Sequence, residues 1–194
     1  MTELRLETER LLVALPKPED AGLALPFFEI NRAHFAPWRP PEPEGMFTQA
    51  YWDAQIALMH TSFESGVQIR LWIWAKNDSS RIIGTMGFSQ IFRGPFSSCM
   101  LGYQICQSAE GKGLMREALQ AAIQYMFTTQ RLHRIAAGYR PENVRSGRLL
   151  SRLGFHIDGY SKKYLFIDGD WRDHILASRI NDTFQPAWLV KTNP

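Results

Sequence analysis

Apolar residues change spacing several times along the chain, and each change marks an element. Leu4, Leu6, Leu11, Val13 and Leu15 alternate with Arg5, Glu7 and Arg10, which predicts a strand over residues 4–15, breaking near Thr8-Glu9 and ended by Pro16 and Pro18. Pro18-Glu19-Asp20 places proline and acids where a helix starts, and that helix is expected to run to about Asn31. A second helix is expected over 48–64, with Ile56, Met59 and Phe63 on one face. Three strand-like runs follow at 67–75, 81–91 and 97–106, joined by Asn77-Asp78-Ser79-Ser80 and Arg93-Gly94-Pro95-Phe96, which reads as an antiparallel meander.

Beyond residue 106 the period switches. Ala118, Ala121, Ala122, Tyr125 and Met126 recur at helical spacing, and His133 to Tyr139 reads as a strand again. A strand that follows a strand and a helix is expected to lie parallel to the first. Asn143 to Leu153 forms a helix with Leu149, Leu150 and Leu153 inward, closed by Gly154. Residues 155–167 and 170–178 form a terminal hairpin around Asp168-Gly169, a type I′ turn signal. The order is β-α-α-β-β-β-α-β-α-β-β, an α+β class with one parallel pair in a mostly antiparallel sheet. One domain over 1–180 is expected, with a loosely held tail over 181–194.

The stretch Glu110-Gly111-Lys112-Gly113-Leu114-Met115-Arg116 joins a strand to a helix, and this context has a chemical use. The first N–H groups of a helix lack intrahelical partners, and the dipole adds partial positive charge there. Glycines admit a bulky anion, and Lys112 and Arg116 add formal charge, so the turn is a candidate diphosphate cradle. An ordinary strand-to-helix turn needing small residues is the alternative. A P-loop does not fit, because Leu114 and Met115 stand where its Ser/Thr pattern belongs. A dinucleotide fingerprint lacks its third glycine. Gly102, inside the preceding strand, marks a bulge or a close backbone approach that would open a cleft just upstream. His34-Phe35-Ala36-Pro37-Trp38, in a stretch with four prolines between 37 and 43, is expected to be an ordered loop. It is either the wall of a binding site or a hydrophobic plug.

Composition narrows the field. The chain has 194 residues, 45% of them apolar, which suits one well-cored domain. The net charge is +3 with Lys and Arg scattered, so sequence-specific nucleic-acid binding is not expected. Cys99 and Cys106, if on one strand, stand roughly 23 Å apart, beyond disulfide reach. No secretory leader or membrane span is expected, and the default setting is cytoplasmic. No metal-ligating cluster is expected.

The residues also carry a family resemblance. Glu110-Gly111-Lys112-Gly113-Leu114-Met115 resembles the Gln/Arg-x-x-Gly-x-Gly/Ala hallmark of the GNAT superfamily of acyl-CoA-dependent N-acetyltransferases, with Glu110 and Met115 off pattern. The chain is similar to its RimJ/RimL branch of ribosomal-protein N-acetyltransferases through Thr8-Glu9-Arg10-Leu11, Asn31-Arg32-x-His34-Phe35-x-Pro37-Trp38, Leu101-Gly102-Tyr103, Pro141-x-Asn143-x-Arg145-Ser146-Gly147, Leu153-Gly154-Phe155 and Asp168-Gly169-x-Trp171-Arg172-Asp173-His174. In that branch Met115 is usual, which leaves Glu110 as the departure; its side chain is expected to face solvent.

The resemblance implies a GNAT-like sheet with one splayed parallel pair and helices on both faces. It implies acetyl-CoA as cosubstrate and a protein N-terminus, Ala or Ser of a ribosomal protein, as acceptor. Gly111, Lys112, Gly113, Leu114, Met115 and Arg116 would hold the diphosphate. Tyr103, Gln104 and Ile105 would offer main-chain groups to the pantetheine arm, and a strand N–H near Tyr103 would serve the oxyanion. Asn143 would contact the arm and Ser146 would protonate the departing thiolate, although both residue types also cap helices. His34, Phe35 and Trp38 would contact the acceptor. Glu142, Asp158, His133 and His174 remain open as general base, and a Glu of some relatives falls at Leu165. A small-molecule amine acceptor, or a weakly catalytic ribosome-assembly role suggested by Glu110, are the alternatives. Oligomeric state is not assigned.

Overall fold

The computed structural model describes residues 4–190. The N-terminal run folds back on itself: β1 (Arg5–Glu7) and β2 (Leu11–Ala14) pair antiparallel around Thr8-Glu9-Arg10, so the expected interrupted strand is a hairpin. Helices α1 (Ala21–Ile30), α2 (Arg32–Phe35) and α3 (Gln49–Glu64) follow. The Pro-Trp stretch is helical only in its first part, where α2 is continued by a 3-10 turn over Ala36–Trp38; residues 39–43, with the other three prolines, form the expected loop. Pro37, the second residue of that turn, lacks only an N–H that the first turn leaves without a partner anyway, so it is tolerated there.

The meander consists of β3 (Ile69–Ala75), β4 (Gly84–Phe92) and β5 (Ser98–Ile105). Then come α4 (Leu114–Thr128), β6 (Arg134–Tyr139), α5 (Val144–Arg152), β7 (His156–Ile167), β8 (Asp170–Ile180) and α6 (Ala187–Val190). One eight-stranded sheet has the order β1-β2-β3-β4-β5-β6-β8-β7, and β5–β6 is its parallel pair. Asp168 (φ 52°) and Gly169 (φ 75°) both take the left-handed conformation that a type I′ hairpin requires.

Both faces of the sheet are covered. On β3 successive side chains point to opposite faces, yet Leu71, Trp72, Ile73 and Trp74 are all buried. Trp72 lies 6.0 Å from Trp52 of α3. On the other face Ile73 and Met115 of α4 converge on Gly84. The buried face of α4 is Met115, Ala118, Leu119, Ala122, Ile123, Met126 and Phe127, while Ala121 and Tyr125 are half-buried at its border. The stripe is wider than alanine spacing alone indicates, because a helix under a sheet buries both its i+3 and i+4 rows.

The segment after β8 is held rather than loose. Asn181 is buried and donates to the carbonyls of Phe127 (3.3 Å) and Leu132 (3.0 Å), and Phe184 packs on His133 and Trp188. Residues 191–194 of the expected tail lie outside the described residues.

Candidate active site

The site begins where β5 and β6 part. Their parallel register runs from Ser98↔Arg134 to Leu101↔Ala137, and the next register positions are two glycines, Gly102 and Gly138. Beyond them β5 continues along β4 and β6 along β8, which leaves a wedge between the strands. No bulge lies at Gly102: it pairs regularly with Gly87, and the register shift of this ladder lies between Ser89 and Phe92, where Gln90 takes φ 51°. The slot therefore opens by divergence of a parallel pair rather than by an extra residue at Gly102.

Alternation along β5 decides which main-chain groups face the wedge. Cys106 N–H donates to Ile83 at 2.9 Å, so the main chains of Gln104 and Gly102 also point at β4. The N–H and C=O of Tyr103 and Ile105 point the other way, into the wedge, where no strand takes them. Gln104 also engages its side chain with β4, donating to Thr85 Oγ1 at 3.1 Å.

Helix α4 closes one end of the wedge. Its N-cap is Gly113 at φ 75°, which supplies no side chain to the free N–H groups of the first turn. Gly111 is also left-handed, at φ 72°, and a Cβ there would meet open space. The Lys112 ammonium turns back to the Ser108 carbonyl at 2.8 Å and does not line the cleft, whereas Arg116 does.

Helix α5 forms the opposite lip. Asn143 is its N-cap and accepts from Ser146 N–H at 3.1 Å, so the capping role is present. That cap sets the first turn so that Ser146 Oγ lies 2.7 Å from Tyr103 OH, across the wedge. Burial raises the Tyr103 phenol to about 12, against the lowering effect of Ser146. The phenol therefore keeps its proton, and the pair can relay one. Gly147 is required by packing: a Cβ there would stand 2.8 Å from the Tyr139 ring.

Glu110 does not face solvent. Its carboxylate is held by His34 Nε2 at 3.2 Å and by Arg145, across the mouth of the cleft. The carboxylate is held by one guanidinium and one imidazole, a pairing across the fold that the sequence spacing does not reveal. Arg145, Arg148 and Arg152 line the cleft from one face of α5, at positions i, i+3 and i+7. Their functional alignment was not foreseen, although this spacing is legible once the helix is placed. Among the described residues, Arg116, Arg148 and Arg152 have no carboxylate partner, which leaves the cleft electropositive.

The result is one cleft of about 480 Å³ that brings together Tyr103, Gln104, Ile105, Gly111, Gly113, Leu114, Met115, Arg116, Asn143, Ser146, His34, Phe35 and Trp38. The Pro-Trp segment serves both expected purposes. Phe35 is buried against Phe27 and Phe28, while His34 and Trp38 form the wall. Arg140 holds that wall in place, donating to the Pro37 carbonyl at 2.7 Å with its guanidinium 5.5 Å over the Trp38 ring. None of the four open candidates for general base lines the cleft. Glu142 pairs with Arg140 in solvent, Asp158 with Arg134 and Ser178, His133 packs on Phe184, and buried His174 contacts the Arg172 carbonyl.

An acyl-CoA fits these walls: an uncapped helix start for the diphosphate, unpaired strand groups for the amide-bearing arm, and a neutral hydroxyl pair at the wedge for the leaving sulfur. Comparison with known proteins agrees. Residues 10–156 match the acetyltransferase (GNAT) domain model. The chain is 42% identical over 185 residues to the [ribosomal protein uS5]-alanine N-acetyltransferase of Escherichia coli (strain K12), covering 95% of each. The crystal structure of the ribosomal-protein-S5-alanine acetyltransferase from Vibrio fischeri superposes with a TM-score of 0.90 at 39% identity, covering 94% of this chain and 100% of that one. Mycobacterium smegmatis RimJ in complex with CoA-disulfide gives a TM-score of 0.82 at 25% identity, over 92% and 86%. With the family model matching most of its length, the chain belongs to the GNAT acetyltransferases.

Proposed function

We propose that this enzyme transfers the acetyl group of acetyl-CoA to the N-terminal amine of a ribosomal protein, an N-terminal alanine or serine being the acceptor. The observation that carries this is the wedge between β5 and β6, with the α4 N-terminus at one end and the Tyr103–Ser146 pair across it. The identity to the uS5-alanine enzyme over 95% of both chains supports the acceptor class.

The roles follow from the geometry. The N–H groups of residues 111–116 hold the diphosphate, with Arg116 adding charge. Tyr103 and Ile105 present main-chain groups to the pantetheine arm as an added strand would, and Asn143 lines that arm. The acceptor amine enters past His34 and Trp38. An α-amine has a pKa of about 7.7–8.0, so a useful fraction is already neutral and a water chain suffices as base. The amine nitrogen attacks the thioester carbonyl, and Tyr103 N–H donates to the oxygen as charge develops there. As the C–S bond breaks, Ser146 Oγ gives its proton to the sulfur and draws one from the Tyr103 hydroxyl, which regains the proton that the newly acylated nitrogen sheds through the water chain. With its carboxylate paired to Arg145 and in contact with His34, Glu110 no longer argues for a weakly catalytic role. Residues 1–180 act as one catalytic domain in a cytoplasmic setting. Among the described residues no helix is long and apolar enough to cross a membrane.

The test is thiol release from acetyl-CoA with Ala-first and Ser-first peptides against a polyamine and an aminoglycoside. Release with the peptides alone is expected. Release only with a small amine would overturn the acceptor class.

A further inference from the structure

The Lys112–Gly113 peptide is not held from within the glycine loop. Glycine adopts left- and right-handed conformations at similar cost, so the Lys112–Gly113 peptide can turn over unless something outside the loop prevents it. That something comes from the other end of the chain. In the turn between β1 and β2, Arg10 Nη1 donates to the Lys112 carbonyl at 3.1 Å. Arg10 is itself clamped by Glu117 in the first turn of α4. Its Nε lies 2.7 Å and its Nη2 2.6 Å from Glu117 Oε2, and its main-chain N–H donates to Oε1 at 2.9 Å. The Thr8 hydroxyl donates to the same Oε1 at 2.6 Å. Burial alone would raise the Glu117 carboxyl, but Thr8 and Arg10 together hold it below the usual range.

In a trans peptide the C=O and the following N–H point to opposite sides. Arg10 does not line the cleft; it lies with Thr8, Glu117 and Gln120 in a neighbouring hollow, and Gly113 and Arg116 stand between the two, lining both. Holding the Lys112 oxygen on that outer side turns the Gly113 N–H away from Arg10, toward the cleft that Gly113 lines. We infer that Arg10, locked by Glu117 and Thr8, is a positioning residue for the diphosphate: it fixes the 112–113 peptide so that the Gly113 N–H faces the anion. This rests on the acetyl-CoA site proposed above.

The test compares two acyl donors, acetyl-CoA and S-acetylpantetheine, which lacks the diphosphate. Arg10→Ala and Glu117→Gln are expected to raise the KM for acetyl-CoA about tenfold to a hundredfold, the range for a lost charged hydrogen bond, with kcat nearly held. Their kcat/KM with S-acetylpantetheine is expected to match that of the wild type. Arg10→Lys keeps the charge opposite Glu117 but lacks the fork that also reaches Lys112, so partial rescue is expected. It also serves as the probe where Arg10→Ala fails to fold. Equal losses on both donors, or no loss on acetyl-CoA, would overturn the inference. A wild-type enzyme inert toward acetyl-CoA would overturn the underlying site instead.

Discussion

At the scale of single residues, the proposed chemistry rests on two hydroxyls and one glycine. Ser146 and Tyr103 share a hydrogen bond, and in the proposed mechanism only the transition state needs the proton they hold. Ser146→Ala is expected to lower kcat by about a hundredfold, the low end for a lost general acid, with the KM for acetyl-CoA little changed. Tyr103→Phe follows suit, and the double variant loses less than the product of the two, because they act as one unit. Unchanged turnover in Ser146→Ala would remove it from the mechanism. Gly113 sits at φ 75° on the cleft wall, so Gly113→Glu adds backbone strain, bulk and negative charge to the cradle. Calorimetry is expected to show no saturable acetyl-CoA binding, and retained affinity would refute the diphosphate assignment.

At the scale of elements, α5 is placed by the absence of a side chain. The near contact between Gly147 and the Tyr139 ring means that Gly147→Ala must push the ring or the helix. Overpacking of this kind costs about 1–3 kcal/mol. Because Ser146 is the neighbouring residue, turnover should fall with stability. A Gly147→Ala variant with wild-type melting temperature and wild-type kcat would show that α5 is not positioned by this contact. The hairpin β7–β8 and helix α4 were legible in the sequence, since Asp168-Gly169 and the helical period are local signals. The α1–α3 region was legible in its helices and in the loop over 39–43, but not at 34–38, where Phe35 packs on Phe27 and the chain stays helical to Trp38.

For the whole molecule, two buried acids set the alkaline limit. Burial raises Cys99 from 9.0 to about 12, partly offset by Arg93, and Tyr103 from 10.0 to about 12. Both are neutral in the fold. Their contribution to stability is complete below the ordinary thiol value and is lost as pH rises toward the folded values. The urea midpoint is therefore expected to fall between about pH 9 and about pH 12, first through Cys99 and then through Tyr103. Cys99→Ala should flatten the early part of that fall. A midpoint constant across the window would show that neither group stays neutral in the fold.

The sequence by itself determined most of the elements, the glycine turn at the start of α4 and the family, because alternation, helical period and a glycine-rich loop are properties of neighbours in the chain. It also named many of the residues that line the cleft, but not the arginine row of α5, and it included Lys112, which turns away. What it could not contain was distance across the fold. Opposed glycines at positions 102 and 138 become the start of a wedge only when β5 and β6 are set in register. Glu110 finds His34 and Arg145, and Arg10 finds Glu117 and Lys112, only when segments up to 107 residues apart are brought together. Charges pair by proximity in space, and proximity in space is what the tertiary structure decides.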